Sequence, residues 1–130
     1  MVWRYDYNNR VNFSEVMPGK KILSVSIEQG DNEELHFVTD AGHFIMTHEQ
    51  DCCETVVIKE IDNSLHKLIG ATIVEASVES NEGETEDYDT FTWTFYKLAT
   101  NNGDYFTISW LGESNGYYSE SVDFYKLEED

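Results

Sequence analysis

The chain of 130 residues carries 8 Lys and Arg against 26 Asp and Glu, so its formal net charge is −18 at pH 7. Its length suits one domain, and its hydrophobic share of 40% and aromatic share of 14% exclude general disorder. Because a chain this acidic is repelled by phosphate groups and anionic lipids, we expect no direct binding to nucleic acid or to membranes.

The N-terminal segment is rich in aromatic residues but has no long period. We predict that residues 1–17 form an aromatic arm and that residues 18–130 form a single β-rich domain. Aromatic side chains that are not buried locally tend to be buried against a neighbour. The arm is therefore expected to add an edge strand or, through Trp3-Arg4-Tyr5-Asp6-Tyr7, to form a homodimer.

Most of the domain alternates between apolar and polar residues, which is the period of two that is typical of strands. In the first strand this alternation places Leu23, Val25 and Ile27 on one face. In the fourth strand, three consecutive apolar residues at 56–58 predict a strand covered on both faces. The predicted strands are Lys21–Glu28, Glu34–Thr39, His43–His48, Thr55–Ile61, Thr72–Val78, Phe91–Ala99, Tyr105–Leu111 and Tyr117–Tyr125.

Two other segments complete the predicted fold. Ser64–Ile69 is expected to form a helical turn that begins at Asp62 or Asn63 and ends at Gly70. Residues 79–89 are the most polar stretch and are predicted to be a solvated loop. The predicted fold class is therefore mainly β (α+β), with about eight short strands in a curled antiparallel sheet, partial barrel or sandwich, and one short helix.

The core is expected to take alternate side chains from these strands. The second and third strands are predicted to point Leu35, Phe37, Phe44 and Met46 inward. The two aromatic strands are predicted to contribute Trp93, Phe95, Phe106 and Trp110 to the core. Their outer face is then lined by Thr94, Tyr96 and Tyr105.

Three segments resemble one known family. They are Asp51–Val56, Thr92–Thr100 and Gly112–Phe124, and they occur in the same order in the domain of unknown function DUF7448. The likeness runs from about Lys20 to Phe124. The family is found in small proteins of tailed bacteriophages and prophages, so the resemblance implies a small, soluble phage accessory protein that meets host machinery. It implies no particular activity.

The cysteines and the N-terminus point to a cytosol. Cys52 and Cys53 are the only cysteines and are adjacent, so they cannot join distant segments, and a bond between them would close a strained eight-atom ring. No apolar stretch approaches the roughly 20 residues of a membrane span, and the first residues lack the order of a signal peptide. We therefore predict a location in the cytosol of the host cell.

The segment His48–Glu54 contains the densest set of reactive side chains, with an imidazole, two thiols and several carboxylates. These groups can hold a soft divalent metal, but adjacent cysteines on a strand or turn do not aim both sulfurs at one ion. We predict instead that one cysteine packs in the core while the carboxylates cap the turn. A reactive thiol is the third alternative, although surrounding negative charge disfavours a thiolate.

No motif in the chain predicts catalysis. The phosphate-binding glycine loop, the G-x-S-x-G turn and the H-E-x-x-H helix are all missing from the sequence. The four histidines, His36, His43, His48 and His66, are scattered singly. We therefore predict a protein that is not an enzyme, with no catalytic residue, no metal and no cofactor.

A binding surface is predicted where tyrosines and hydrogen-bonding side chains follow the aromatic strands, a composition typical of adaptable recognition surfaces. The acidic stretch before these strands is expected to extend it. The predicted binding residues are Tyr96, Lys97, Glu113, Ser114, Asn115, Tyr117, Tyr118, Glu120, Glu82, Glu84, Glu86 and Asp87. In the plainer alternative, the tyrosines cover a sheet edge and the charges keep the protein soluble.

The leading hypothesis for function is a phage-type acidic accessory protein that acts by binding. A charge of −18 exceeds the roughly 2–8 that solubility requires of a small domain. We expect the protein to occupy a basic, nucleic-acid-handling host protein, such as a defence protein, as a mimic of the phosphate backbone. This is a counter-defence role.

Two other hypotheses remain open. In the first, the protein binds a small nucleotide-derived signal. Lys97 or Arg4 would neutralise a phosphate, and the aromatic residues that would stack on the base are Trp93, Tyr96, Trp110 and Tyr118. In the second, the protein is a metal- or thiol-dependent enzyme, and the residues that would form its site are His48, Asp51, Cys52 and Cys53.

Overall fold

The computed structural model describes residues 3–4, 9–29, 33–86 and 89–129 of the chain. In these residues a short helix, α1, spans Phe13–Val16 and a 3-10 turn spans Leu65–Leu68. The strands, in chain order, are β1 (Trp3–Arg4), β2 (Ile22–Gln29), β3 (Glu33–Thr39), β4 (Gly42–Thr47), β5 (Thr55–Ile61), β6 (Ile73–Glu84), β7 (Thr90–Thr100), β8 (Tyr105–Ser114), β9 (Asp123–Lys126) and β10 (Glu128–Glu129).

Eight of these strands form two antiparallel sheets of four. The first sheet has the order β2-β3-β4-β9 and the second has the order β5-β8-β7-β6. A bridge between Lys21 and Thr72 joins the start of β2 to the start of β6. The two sheets make a sandwich rather than a closed barrel, which confirms the predicted mainly β class with one short helix.

The core lies between the inner faces of the two sheets. Leu35, Phe37, Phe44 and Met46 of the first sheet are buried there, as predicted. Trp110 from the second sheet is fully buried, and its indole Nε1 donates a hydrogen bond to Sδ of Met46 at 3.1 Å. The inward faces that alternation predicted for β3 and β4 are therefore confirmed.

The face predicted for β2 holds for Val25 and Ile27, which pair with the buried Phe37 and Leu35, but not for Leu23. Ile22 is buried, whereas Leu23 is 49% and Ile27 is 42% exposed. The pairing of β2 with β3 shifts register between Ile22 and Ser24, which marks a β-bulge. Because one extra residue reverses the faces of the residues that follow, regular alternation does not extend through this strand.

The faces predicted for β7 are also wrong. Tyr96 and Thr94 are buried, whereas Trp93 and Phe95 are partly exposed on the outer face and stack at 5.9 Å between ring centroids. The hairpin with β8 pairs even-numbered residues with even-numbered ones, including Thr94 with Trp110. Directly paired residues lie on the same face of a sheet. Because Phe106 and Trp110 point into the core, as predicted, their partners on β7 are also buried. Trp93 and Phe95 therefore lie on the outer face. Tyr105 lies outside as predicted.

The predicted loop at residues 79–89 is wrong over its first half, because β6 continues to Glu84. Each residue from Glu79 to Glu84 is paired with a residue of β7, so backbone hydrogen bonds stabilise a strand of low intrinsic propensity. Gly83 lies beneath the ring of Phe91, where a Cβ atom would come within 2.5 Å of Phe91 Cζ. The strand predicted at residues 117–125 is reduced to Asp123–Lys126.

Two local predictions hold in part. In the predicted helical turn, Leu68 is buried and Leu65 is partly buried, but Ile69 is exposed. In β5, Val56 is buried, whereas the next two residues are only partly buried, so this edge strand is not covered on both faces.

The N-terminal segment contributes to the core. Phe13 and Met17 are buried, and the ring of Phe13 lies 4.8 Å from that of Tyr96 and 5.0 Å from that of Phe124. The backbone of β1 pairs antiparallel with that of β10, and the two strands form a separate two-stranded sheet. Tyr5, Asp6 and Tyr7, to which the homodimer prediction refers, lie outside the described residues. Among the described residues, no helix has the length and apolar character that crossing a membrane requires.

Candidate functional site

A groove of about 390 Å³ joins the two halves of the predicted binding surface. It opens between the far end of the β6–β7 hairpin and the segment that connects β8 to β9. Glu82 and Glu84 on one side face Tyr118 on the other. We call this feature the acidic groove, and its lining is Glu82, Gly83, Glu84, Thr90, Phe91, Thr92, Tyr118 and Glu120.

Glu120 anchors the connecting segment at the base of the acidic groove. Its buried carboxylate accepts hydrogen bonds from the hydroxyls of Thr90 at 2.5 Å, Thr92 at 2.8 Å and Ser114. Burial by itself would raise the pKa of Glu120, but the three hydroxyls, Ser114 foremost, lower it below its ordinary value. A Cβ atom on Gly112 would lie 2.7 Å from Cβ of Glu120, so the close approach of this segment requires glycine.

Exposed carboxylates extend from the acidic groove along the edge strand β6. They belong to Glu75, Glu79, Glu82 and Glu84, and Glu86 and Asp89 follow in the turn to β7. Nζ of Lys97 lies 3.0 Å from a carboxylate oxygen of Glu79. In the pairing with β7, Glu82 and Glu84 share the face of Thr92 and Thr90, whereas Glu75 and Glu79 share the opposite face. The second sheet therefore carries carboxylates on both faces of its edge strand.

The remaining predicted binding residues divide between surface and interior. Tyr117 is 86% exposed, and its ring makes an edge-to-face contact with Tyr118 at 5.7 Å. Glu113 and Asn115 are exposed, whereas Ser114 is buried against Glu120. Asp87 lies outside the described residues.

Tyr96 is not part of the candidate surface, because it is buried and its hydroxyl donates a hydrogen bond to the carbonyl of Val122 at 3.0 Å. Trp110 is also buried, so neither ring is available to stack on a nucleotide base as the small-ligand hypothesis requires. An apolar groove of about 520 Å³ does lie elsewhere on the second sheet, next to Val74, Lys97 and Tyr105. It contains none of the four aromatic residues that this hypothesis names.

The segment His48–Glu54 forms a buried ion pair rather than a cysteine site. Nε2 of His48 lies 2.9 Å from Oε2 of Glu54, and Nδ1 of His48 donates to the carbonyl of Ser121 at 2.7 Å. Both ring nitrogens of His48 thus lie within hydrogen-bond distance of an oxygen atom. Both side chains are almost completely buried.

Four donors hold the Glu54 carboxylate. Besides His48, they are the amides of Asp51 at 3.0 Å and Cys52 at 2.8 Å and the side-chain amide of Gln50 at 3.0 Å. Burial by itself would raise the pKa of Glu54, but these hydrogen bonds, the Cys52 amide foremost, lower it to about 2. The carboxylate therefore organises the turn between β4 and β5.

Cys52 and Cys53 form a disulfide with each other, and both are exposed. The prediction that one cysteine packs in the core is wrong. Because the sulfurs are bonded to each other, neither is a free nucleophile or metal ligand in this state. The turn exposes them because Glu54, the residue that follows, takes the buried position.

A second histidine group was missed by sequence reasoning, which treated the histidines singly. Nδ1 of His36 lies 2.8 Å from Nε2 of His43, and Nε2 of His36 faces Glu34 and Glu28. Burial and the neighbouring His36 lower the pKa of His43. The signal available in the sequence was the β3–β4 hairpin, which brings residues seven apart onto one face.

The fold and the acidic groove define a small antiparallel β-sandwich whose candidate site is built from side-chain charge and aromatic contact. Within this class, the chain belongs to the family described as Domain of unknown function (DUF7448), whose model matches residues 15–124. No curated protein and no solved structure matches the chain. The family assignment agrees with the resemblance found in the sequence.

Proposed function

We propose that this protein acts by binding a basic partner protein through the acidic groove, without catalysis. The single observation that carries the proposal is that Glu82 and Glu84 face Tyr118 across one open groove. Residues more than 30 positions apart thus form one surface that combines negative charge with a partly buried aromatic ring.

The groove suits a lysine or arginine side chain. A cation that enters it contacts the carboxylates of Glu82 and Glu84 and the ring of Tyr118, where a cation–π contact contributes about 0.5–1 kcal/mol at an exposed site. One exposed ion pair contributes only about 0–1 kcal/mol. Several basic side chains must therefore bind together, and the exposed carboxylates of Glu82, Glu84 and Glu86 are available to them.

The spacing of these carboxylates decides how closely the protein can imitate the phosphate backbone of a nucleic acid. Residues two apart on a strand share a face and are about 7 Å apart, which is the spacing of Glu82 and Glu84, whereas Glu75 and Glu79 lie on the opposite face. A nucleic acid strand carries one phosphate per roughly 3.4 Å of helix axis. We infer that the protein imitates the sign of the phosphate backbone, with a total charge of −18 that steers basic partners, and not its exact spacing.

The proposed partner is a nucleic-acid-handling protein of a host cell, and the proposed setting is the host cytosol. The resemblance to a phage and prophage family supports an accessory, counter-defence role, because such proteins act on host machinery. The net charge supports the choice of partner, since nucleic-acid-handling proteins present basic surfaces.

The test compares two double variants with the same change in charge. The groove variant is E82Q/E84Q, and the control is E15Q/E60Q, which neutralises exposed carboxylates outside the groove. Each tagged protein is incubated with nuclease-treated bacterial lysate at low salt, and the captured protein is purified and titrated against all three. We expect E82Q/E84Q to weaken binding at least tenfold more than E15Q/E60Q. Wild-type affinity should fall steeply between about 50 and 500 mM salt.

Equal binding by both variants, or an affinity that salt does not change, would refute the proposal. If E82Q/E84Q still binds the partner but aggregates, the carboxylates of the groove have a different role. In that case the carboxylates only protect the open edge of β6 from pairing with other strands.

A further inference from the structure

The outer face of the first sheet carries a cluster of ligand-type side chains that the proposed function does not use. Glu34 and His36 lie two residues apart on β3, and Glu28 of β2 is paired directly with Glu34. Nε2 of His36 lies 3.1 Å from Oε1 of Glu34 and 3.2 Å from Oε2 of Glu28. All three donor atoms lie within 4.8 Å of one another.

The imidazole of His36 is fixed in orientation. Its side chain is buried, and its Nδ1 lies 2.8 Å from Nε2 of His43 on the neighbouring strand β4. Since Nδ1 is engaged with His43, Nε2 is the nitrogen presented to the two carboxylates. Histidines that ligate metals are typically held in this way through their second ring nitrogen.

We propose that Glu28, Glu34 and His36 bind one divalent zinc-type ion, with His43 as the positioning residue. A tetrahedral zinc ion with ligand bonds of about 2.0–2.2 Å places its ligand atoms roughly 3.3–3.5 Å apart. The two separations from Nε2 of His36 are within a few tenths of an ångström of that value, and the two carboxylate oxygens lie within 4.8 Å of each other.

The chemistry of the donors selects the ion. One imidazole with two carboxylates suits zinc and its first-row neighbours, whereas calcium and magnesium prefer oxygen ligands alone. The two carboxylates balance the two positive charges of the ion.

Access to the cluster is through Glu28, whose side chain is 64% exposed near the end of β2. A water molecule can therefore occupy the fourth position of a tetrahedral ion. This surface belongs to a different sheet from the acidic groove, so metal binding and partner binding can be tested separately.

The experiment titrates the full chain with Zn²⁺ by calorimetry and with Co²⁺ by visible absorption, under non-reducing conditions. We expect one ion per chain and a Co²⁺ spectrum of the four-coordinate type. E28Q changes only an exposed side chain and should weaken binding at least about tenfold, while H43Q should weaken it by about 10–100-fold with unchanged stoichiometry. H66Q, which removes an exposed histidine elsewhere, is the control and should bind as wild type.

H36Q should abolish binding, with far-UV circular dichroism as the check on its fold. Because E28Q tests the same site without altering a buried residue, a folding failure of H36Q leaves the proposal testable. No binding of either ion to the wild-type chain would overturn the proposal. So would zinc binding that E28Q leaves unchanged and that C52S/C53S abolishes.

Discussion

Two buried carboxylates, Glu54 and Glu120, fix two connections of the sandwich, β4 to β5 and β8 to β9, by different means. Glu54 is bound by an imidazole and by amide groups within its own turn. Glu120 is bound by three hydroxyls, from two strands of the second sheet. The first arrangement supplies a countercharge and the second supplies only dipoles.

This difference predicts unequal contributions to stability. A charged partner left alone in the interior is costly, whereas a hydroxyl that loses its acceptor can turn toward another group. The pKa of both carboxyls is lowered despite burial, so both are bound more favourably as anions. The Glu54 turn should therefore be the more sensitive region of the two.

The largest effect is expected from E54A. Removing this carboxylate leaves His48 buried without its anion and frees the amides of Asp51 and Cys52, so we expect the free energy of unfolding to fall by about 3–5 kcal/mol. Urea denaturation followed by Trp fluorescence measures it. E79A, which removes the exposed partner of Lys97, is the control and should cost at most about 1 kcal/mol. Equal losses in the two variants would contradict the prediction.

Acid should produce the next largest effect. The pKa of Glu54 is about 2 in the folded chain against an ordinary 4.5, so its contribution is complete above the ordinary value and is lost as pH falls toward 2. Within this window the unfolded chain takes up the proton first, and folding is penalised. We expect the stability difference between wild type and E54Q to shrink from pH 5 to pH 2.5.

Measuring that difference, rather than wild type alone, removes the general relief of repulsion that protonation brings to a chain of charge −18. If the difference in stability between wild type and E54Q stays constant with pH, the protonation of Glu54 does not cause the loss of stability in acid.

The smallest effect is expected from E120Q. The amide oxygen still accepts a hydrogen bond and the three hydroxyls can reorient, so we expect a loss of about 1–2 kcal/mol in the same assay. E113Q, at a neighbouring exposed position, should stay within about 0.5 kcal/mol of wild type. If E120Q costs as much as E54A, hydroxyl dipoles hold a buried carboxylate as strongly as a countercharge does.

Sequence reasoning found the elements of the acidic groove but not their arrangement. Glu82 and Glu84 are exposed and Tyr118 is partly exposed, but the segment of Glu82 and Glu84, predicted to be a loop, is a strand. Tyr96 was misplaced because an aromatic residue suits either face of a strand. Glu120 was predicted to be a surface contact, since nothing local reveals hydroxyls from positions 28 and 30 residues away.

The amino-acid sequence by itself determined the β class, the positions of most strands, the inward faces of β3 and β4 and the strong negative charge. These properties follow from local alternation and from composition. The tertiary structure alone decided the bulge in β2, the faces of β7, the burial of Glu54 and Glu120 and the meeting of His36 with Glu28. A period of two defines two faces without saying which is covered, and that choice depends on bulges and cross-strand register between residues distant along the chain.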